Sequence, residues 1–339
     1  MRTGTLGSTG VQISRVALGT AFFGTHISQE ESGRILDRAL ALGINVIDTA
    51  ESYLRPEPNT SERVLGDLLR GRRHEVFLAS KVSPKRPWAQ QIVNRGLSRR
   101  VVMQAVEGSL RRLQTDHLDL LYAHGPHPAT PLEETLAAFD DLERAGKIRY
   151  AGLSNHSAAQ VTEALWMAER HHLRPIAATQ DLYNLLEREN EQELYPVCRR
   201  HGVGTFAYAP LAGGLLSGKY APDLAGGRGA PLDGTRAAYF GSRTGDADPA
   251  SSSPKLTERT IDAAARVRAW AEARGHTGAQ VALAWVLGNP DVSAAILGVA
   301  TTEQLESNAA AFDLELSPDE RAELSALSGR RCRGRRTSP

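Results

Sequence analysis

The stretch that decides the fold is Ile44-Asn45-Val46-Ile47-Asp48-Thr49-Ala50-Glu51-Ser52-Tyr53, an apolar run that ends at a carboxylate and places a phenol five residues later. A short run of β-forming residues, bounded by Gly43 and a polar loop, predicts a buried parallel strand rather than an amphipathic helix. We therefore expect Asp48 at the carboxyl end of that strand, where α/β folds carry their chemistry.

Short apolar runs alternate with helical patterns along the rest of the chain. Strand candidates are residues 16–20, 44–48, 76–80, 118–123, 150–153, 176–180, 203–208 and 294–298. Helical patterns, with apolar residues at i, i+3 and i+4, cover residues 28–42, 60–70, 98–113, 131–145, 157–171, 187–200, 258–274 and 277–288. This alternation predicts an α/β fold, a (β/α)8 TIM barrel with an N-terminal β-hairpin over residues 3–15 and extra C-terminal helices. An open doubly wound sheet is the alternative.

The composition narrows the class of protein. The 339 residues carry 40 basic and 39 acidic side chains, and a net charge of +1 gives no global field for nucleic acid or an anionic membrane. Cys198 and Cys332 offer neither a disulfide framework nor a metal quartet, which fits a reducing cytoplasm. No segment approaches the ~18 apolar residues that a membrane span needs. We expect a cytoplasmic protein without a metal, nucleic-acid or membrane partner.

Two segments depart from the repeating pattern. Between Tyr220 and Leu256 the composition turns to Gly, Pro, Ser and Asp, which is typical of a mobile lid or a disordered insertion. The end of the chain is basic, from Arg330 to Arg336. We therefore predict a single barrel domain over residues 1–328 and a basic flexible tail over residues 329–339.

Three predicted strands end at a polar residue that could do chemistry. Asp48 ends the second strand, Lys81 follows the third and His124 follows the fourth, with Tyr53 in the loop after Asp48. Each alone has a structural explanation, such as a helix cap or a satisfied core residue. Together they converge on the same end of a barrel. A phenol has a pKa near ~10, and an adjacent ammonium lowers it, so these groups are predicted to form a proton relay to a carbonyl oxygen.

At this point the chain resembles an aldo-keto reductase of the bacterial long-chain type, from Gly4 to about Asn308. The resemblance rests on Asp48-Thr49-Ala50 with Tyr53, on Lys81, on His124 and on the run Gly146-Lys147-Ile148-Arg149-Tyr150-Ala151-Gly152-Leu153-Ser154-Asn155. It implies that Tyr53 is the general acid, that Lys81 and Asp48 tune it, and that His124 orients the carbonyl. The run His124-Gly125-Pro126-His127 departs from the family, which often has an aspartate where His127 stands. His127 is the alternative for the histidine role.

The resemblance also implies a nicotinamide dinucleotide laid across the barrel mouth. No G-x-G-x-x-G opens the first helix, so a Rossmann mode of binding is unsupported. Ser154, Asn155 and Gln180 would bind the carboxamide, and Tyr208 would stack on the nicotinamide ring. The remaining implied contacts are Gly19, Thr20, Ala21, Asp48, Ala209, Pro210, Leu211, Gly213, Lys219, Arg236, Gly298, Ala300, Gln304 and Asn308.

Arg236, Gln304 and Asn308 would contact the adenosine end, which favours NADPH over NADH. Ala300 and Ser307 depart from the family pattern there, and Thr301 and Glu306 are candidates to compensate. The expected activity is NADPH-dependent reduction of an aldehyde or ketone, with keto-sugars among the candidates, because the resemblance extends to nucleotide-sugar reductases.

Two other functions are weighed against the reductase. One is an NADP(H)-binding redox sensor or regulatory subunit, because potassium-channel β-subunits share this fold but depart at the histidine. The other is an isomerase or hydrolase on the same barrel, which lacks supporting carboxylate pairs here. For the substrate pocket, the sequence offers Phe22, Phe23, Trp88 and Tyr239 as apolar walls.

Overall fold

The structure of the protein is a computed structural model that describes residues 1–53, 59–85, 92–218 and 258–328. Eight parallel strands form a closed barrel in the order β10-β3-β4-β5-β6-β7-β8-β9. Their bounds are β3 Val16–Gly19, β4 Val46–Asp48, β5 Phe77–Val82, β6 Leu118–Ala123, β7 Ile148–Ser154, β8 Ala178–Leu182, β9 Gly204–Tyr208 and β10 Ala294–Leu297. The predicted (β/α)8 barrel is confirmed, and the open sheet is excluded because β10 pairs with both β3 and β9.

Helices follow the strands and cover the outside of the barrel. Their bounds are α1 Gln29–Ala41, α2 Thr60–Leu68, α3 Arg99–Leu113, α4 Leu132–Arg144, α5 Ala158–Arg170, α6 Leu194–His201, α7 Glu258–Glu272, α8 Gly278–Leu287, α9 Thr302–Ala309 and α10 Pro318–Leu327. Ser28 caps α1 by accepting a hydrogen bond from the backbone N–H of Glu31, as its sequence position predicts. None of the helices in the described ranges is long and apolar enough to cross a membrane.

One predicted helix starts later than expected. The pattern over residues 187–200 predicted a continuous helix, but Glu189–Glu191 form a 3-10 turn and α6 begins only at Leu194. The physical reason is Pro196, which lacks a backbone N–H and clashes with the preceding turn in a helix interior. With the helix starting at Leu194, the proline lies in the first turn, where an N–H would have no helical partner anyway.

The N-terminal hairpin closes one end of the barrel. Strand β1 (Thr3–Thr5) pairs antiparallel with β2 (Gln12–Ser14), as predicted for residues 3–15. Leu6 and Ile13 are fully buried among apolar side chains of the barrel interior, such as Val46 and Phe206. The hairpin therefore seals the amino ends of the strands, and the carboxyl ends form the open mouth.

A second apolar layer lies between the barrel and its helices. It includes residues from most of the outer helices, and every residue of α8 except Gln280 is buried. The insertion at residues 220–256 and the tail at residues 329–339 lie outside the described residues, so those predictions remain untested. The division of the chain into one domain and a tail also stays a prediction.

Candidate active site

Asp48, Lys81 and His124, at the ends of three strands, meet Tyr53, in the loop after β4, at the mouth of the barrel, and we call these four residues the tetrad. The ammonium of Lys81 donates to Asp48 Oδ1 at 2.5 Å, to the carbonyl oxygen of Thr49 at 2.8 Å and to the Tyr53 hydroxyl at 2.8 Å. An ammonium has three N–H donors, and all three have an acceptor. Because the Lys81 side chain is fully buried, this geometry is fixed by the surrounding fold.

Asp48 holds the lysine and is itself held on both oxygens. The hydroxyl of Tyr53 also approaches Oδ1, at 3.3 Å, while Gln180 donates from Nε2 to Oδ2 at 2.8 Å. Asp48 is only 2% exposed. A buried carboxylate is costly unless it is paired and hydrogen-bonded, and Asp48 meets both conditions.

Lys81 lies in an environment of opposing electrostatic effects. Burial has the largest effect and lowers the pKa of its ammonium below the usual value, although the negative charges of Asp48 and Glu62 act in the opposite direction. Glu62 is fully buried and is fixed by hydrogen bonds from Ser80 Oγ and Arg112 Nε, both at 2.7 Å. Two fixed carboxylates therefore partly offset the effect of burial on the pKa of Lys81.

His124 follows β6 and lies edge-on to Tyr53, with ring centroids 5.9 Å apart. Its Nδ1 is hydrogen-bonded to the Ser52 hydroxyl at 3.1 Å. Burial, and after it the charge of Lys81, lowers the pKa of His124 to about 3. At neutral pH the imidazole is uncharged, so one ring nitrogen donates and the other accepts.

The alternative histidine, His127, contacts a different part of the chain. Its Nδ1 lies 2.7 Å from Thr130 Oγ1, in the loop that leads to α4. Its ring also lies against Gly96, at a point where a side chain on Gly96 would clash with it. The structure brings His124, and not His127, into contact with Tyr53.

The ends of β7, β8 and β9 bring the predicted carboxamide residues together beside the tetrad. Asn155 adopts a left-handed backbone conformation, with φ of 60°. Its Nδ2 donates to the carbonyl oxygen of His124 at 2.9 Å and to Ser154 Oγ at 3.1 Å, and its Oδ1 accepts from the Tyr208 hydroxyl at 2.7 Å. Gln180 is bound to Asp48, so one hydrogen-bonded network joins this group to the tetrad.

The chain turns sharply after β9, in a segment that contains several of the implied dinucleotide contacts. Residues Ala212–Ser217 form a 3-10 helix that is interrupted at Gly213 and Gly214, with φ of 66° and 97°. Ala209 and Ala212 also have positive φ. Leu211, with φ of −97°, is followed by Ala212 in the left-handed region, and such a right-to-left pair forms a concave backbone site that suits anions. Pro210 and Leu211 lie within the same turn. The predicted contacts Lys219 and Arg236 lie outside the described residues.

The end of β3 lies next to Asp48, on the neighbouring strand β4. Gly19 pairs with Asp48 across the sheet, and Thr20 donates from Oγ1 to the Asp48 carbonyl oxygen at 2.9 Å. A side chain on Gly19 would collide with Ile296. Ala21 follows at the mouth.

Of the residues proposed as pocket walls, Phe23 is fully buried and Phe22 is 6% exposed. These two rings therefore pack into the core. Trp88 and Tyr239 lie outside the described residues.

The predicted adenosine contacts lie on or just before α9. Thr301 caps this helix by accepting from the backbone N–H of Gln304 at 3.3 Å. The Gln304 side chain folds back to accept from the N–H of Ala300 at 3.0 Å. Asn308 is buried, and Gly298 follows β10. Glu306, proposed as a compensating residue, pairs instead with Arg38 of α1 at 2.9 Å.

Three residues at the mouth were not singled out by sequence reasoning: Ser52 on His124, Asp181 beside Gln180, and Glu31, which reaches the first turn of α9. Ser52 was visible inside the motif, one residue before Tyr53. The contacts of Asp181 and Glu31 join distant parts of the chain, so no local pattern could have indicated them.

Comparison with known proteins agrees with this geometry. The model of the Aldo/keto reductase family matches residues 15–328. The protein tas of Escherichia coli is 36% identical over 94% of each chain, and the uncharacterized oxidoreductase YrpG of Bacillus subtilis is 36% identical over 93% of this chain and 92% of its own. A probable voltage-gated potassium channel subunit beta of Arabidopsis thaliana is 31% identical over 91% of this chain and 90% of its own. The chain belongs to the aldo-keto reductase family of oxidoreductases.

Proposed function

We propose that the protein reduces an aldehyde or ketone to the alcohol with NADPH, and that Tyr53 is the general acid. The observation that carries this proposal is the position of Lys81, whose ammonium is hydrogen-bonded to both the Tyr53 hydroxyl and Asp48. A phenol is a weak acid, so it needs a neighbouring cation to stabilise the phenolate that remains after proton transfer.

Each member of the tetrad has a distinct part in the proposed reaction. Tyr53 donates its proton to the carbonyl oxygen, and Lys81 stabilises the resulting phenolate. Asp48 holds the ammonium in place through its 2.5 Å hydrogen bond. His124 is neutral, and with Nδ1 accepting from Ser52 its Nε2–H donates to the same carbonyl oxygen, which orients the substrate and stabilises developing negative charge.

The residues at the mouth fit a nicotinamide dinucleotide in their chemistry. When bound, the reduced nicotinamide supplies the hydride. Asn155, Ser154 and Gln180 provide the amide and hydroxyl groups that a carboxamide needs, and Tyr208 offers a ring next to Asn155. The glycine turn after β9 suits a pyrophosphate. The resemblance at Arg236, Gln304 and Asn308 supports NADPH as the preferred form.

The substrate is proposed only as a class. Keto-sugars are included because the sequence resembles reductases of nucleotide-sugar pathways. Good turnover of aromatic aldehydes, with no turnover of any keto-sugar nucleotide, would remove keto-sugars from the candidates.

The experiment is a titration of the purified protein with NADPH and, separately, with NADH, followed by nucleotide fluorescence. A panel of aldehydes, ketones and keto-sugars is then added to the tighter complex, and oxidation is followed by absorbance. Tight binding followed by oxidation supports the reductase. Failure to bind either nucleotide would contradict the proposal.

A second candidate function is a nicotinamide-binding redox sensor or regulatory subunit with slow reductase activity. The likeness to a probable potassium channel subunit beta favours it. Tight NADPH binding with no oxidation by any carbonyl would support this candidate over the reductase.

A further inference from the structure

A carboxylate from the first turn of α1 reaches the first turn of α9. Glu31 accepts on Oε1 from the backbone N–H of Thr302 at 2.8 Å and from the Thr302 hydroxyl at 3.0 Å. Its other oxygen, Oε2, accepts from Arg34 Nε at 2.7 Å. The Glu31 side chain is 19% exposed, so it is held between the two helices rather than extended into solvent.

The Glu31 carboxylate remains ionised at neutral pH. The N–H of Thr302 is the largest of the effects that lower its pKa, and the hydrogen bond and charge of Arg34 act in the same direction. A helix N-terminus carries a partial positive charge that favours an anion. At α9 the protein's own glutamate provides that anion.

The neighbouring backbone donors also have internal partners. The N–H of Ala300 donates to Gln304 Oε1, and the N–H of Gln304 donates to Thr301 Oγ1. These two acceptors are neutral and can rotate away from an incoming ligand. Glu31 differs from them, because Glu30 and Glu31 share the single guanidinium of Arg34, so a net negative charge remains nearby even if the hydrogen bond is broken.

We propose that Glu31 affects cofactor specificity by reducing the preference for NADPH over NADH. Its carboxylate, which is hydrogen-bonded to Thr302, repels the adenosine 2′-phosphate of NADPH. The inference rests on the proposed function, in which the adenosine end of the dinucleotide lies at α9. Two anions at close range repel each other, and a phosphate carries more charge than the 2′-hydroxyl of NADH.

The test is Glu31→Gln, which removes the charge and keeps an oxygen that can accept from Thr302. Glu30→Gln is the matched control. Glu30 lies one residue earlier and pairs with the same Arg34 at 2.7 Å but, within the described part of the chain, makes no hydrogen bond to α9. The dissociation constants of NADPH and NADH are measured by fluorescence for the wild type and both variants, with circular dichroism to establish folding.

Glu31→Gln is expected to tighten NADPH about tenfold, which corresponds to about 1.4 kcal/mol, and to change NADH by less than about twofold. Glu30→Gln is expected to change neither by more than about twofold. The gain for NADPH should shrink in ~1 M salt, where the Debye length falls to about 3 Å.

Equal effects of Glu31→Gln on the two nucleotides, or no effect on either, would overturn the inference while leaving the reductase proposal intact. Equal effects of the two variants on NADPH would also overturn it, because they would indicate a general field rather than the contact with Thr302. Failure of the wild type to bind either nucleotide would overturn the proposed function, and this inference with it.

Discussion

The half of the barrel mouth formed by β3 to β6 and the half formed by β7 to β10 each contain a buried carboxylate, and the two carboxylates differ in their partners. Asp48, at the end of β4, is 2% exposed and has donors on both oxygens, including the ammonium of Lys81. Asp181, on β8, is 5% exposed and accepts from the backbone N–H of Asn155 at 3.2 Å on Oδ1. Within the described residues, Asp181 Oδ2 has no hydrogen-bond partner.

The difference follows from the presence or absence of a cation. Lys81 faces Asp48 directly, and a buried charge is tolerated when it is paired in this way. No comparable ion pair is found for Asp181 in the described part of the chain, and burial raises its pKa to about 7. The first half of the mouth therefore maintains a fixed charge beside Tyr53, where we propose proton transfer. The second half presents amides, backbone groups and a carboxyl group that readily takes up a proton.

Lys81→Met tests the first half and should have the largest effect. It leaves the buried charge of Asp48 without its cation, which typically costs about 3–5 kcal/mol of unfolding free energy. Activity should fall by at least about 10²-fold, because the phenolate of Tyr53 loses its stabilising charge. Denaturant unfolding and steady-state kinetics measure the two effects.

The double variant Lys81→Met with Asp48→Asn is the control for this prediction. It removes both charges, so it should be more stable than Lys81→Met alone while remaining inactive. A double variant no more stable than the single one would show that the lost stability comes from packing rather than from an unpaired charge.

Asp181→Asn tests the second half through its dependence on pH. The folded pKa of about 7 lies above the ~3.9 of an unfolded aspartate, so the folded state binds the proton more tightly. The stability associated with this proton is present below about pH 4 and is lost as pH rises through 7. The unfolding free energy of Asp181→Asn, relative to that of the wild type, should therefore rise by on the order of 3 kcal/mol between pH 5 and 8.

The measurement is denaturant unfolding of both proteins across that pH range. Asp313→Asn is a suitable control, because the Asp313 side chain is 72% exposed. The same pH-dependent gain in the control variant, or no gain in Asp181→Asn, would contradict the contrast drawn between the two carboxylates.

Ser52→Ala is expected to have the smallest effect, and it tests the role proposed for His124. A Ser52 hydroxyl that donates to Nδ1 holds the tautomer with its hydrogen on Nε2, which is the donor that the proposed reaction needs. Loss of one hydrogen bond of about 1 kcal/mol should lower kcat about fivefold and leave nucleotide affinity unchanged. Ser52→Thr keeps the hydroxyl and should restore most of kcat. Equal activity of Ser52→Ala and wild type would exclude this role.

The sequence predicted the fold well because its signals are local. The apolar run before Asp48 and its counterparts before Lys81 and His124 indicated strands, and in a barrel such strand ends must meet. The start of α6 was missed because the influence of Pro196 outweighed the apolar periodicity.

The site was predicted less completely because its networks depend on long-range contacts. The role of Gln180 in binding the carboxamide stays a prediction, whereas its hydrogen bond to Asp48, which joins residues 132 positions apart, was not predicted. The contact between Glu31 and Thr302 spans 271 positions. Such pairs are set by the packing of whole helices and strands, and a single sequence carries no periodic pattern that reports them.

The most direct test of the central claim is a single-turnover experiment on Tyr53→Phe. The variant and the wild type are each saturated with NADPH and mixed with the best carbonyl substrate, and NADPH oxidation is followed in a stopped-flow instrument. Because the substitution removes only the hydroxyl, we expect NADPH affinity within about twofold of wild type and oxidation slower by about 10²–10⁴-fold. Retention of most of the wild-type rate would contradict the assignment of Tyr53 as the proton donor.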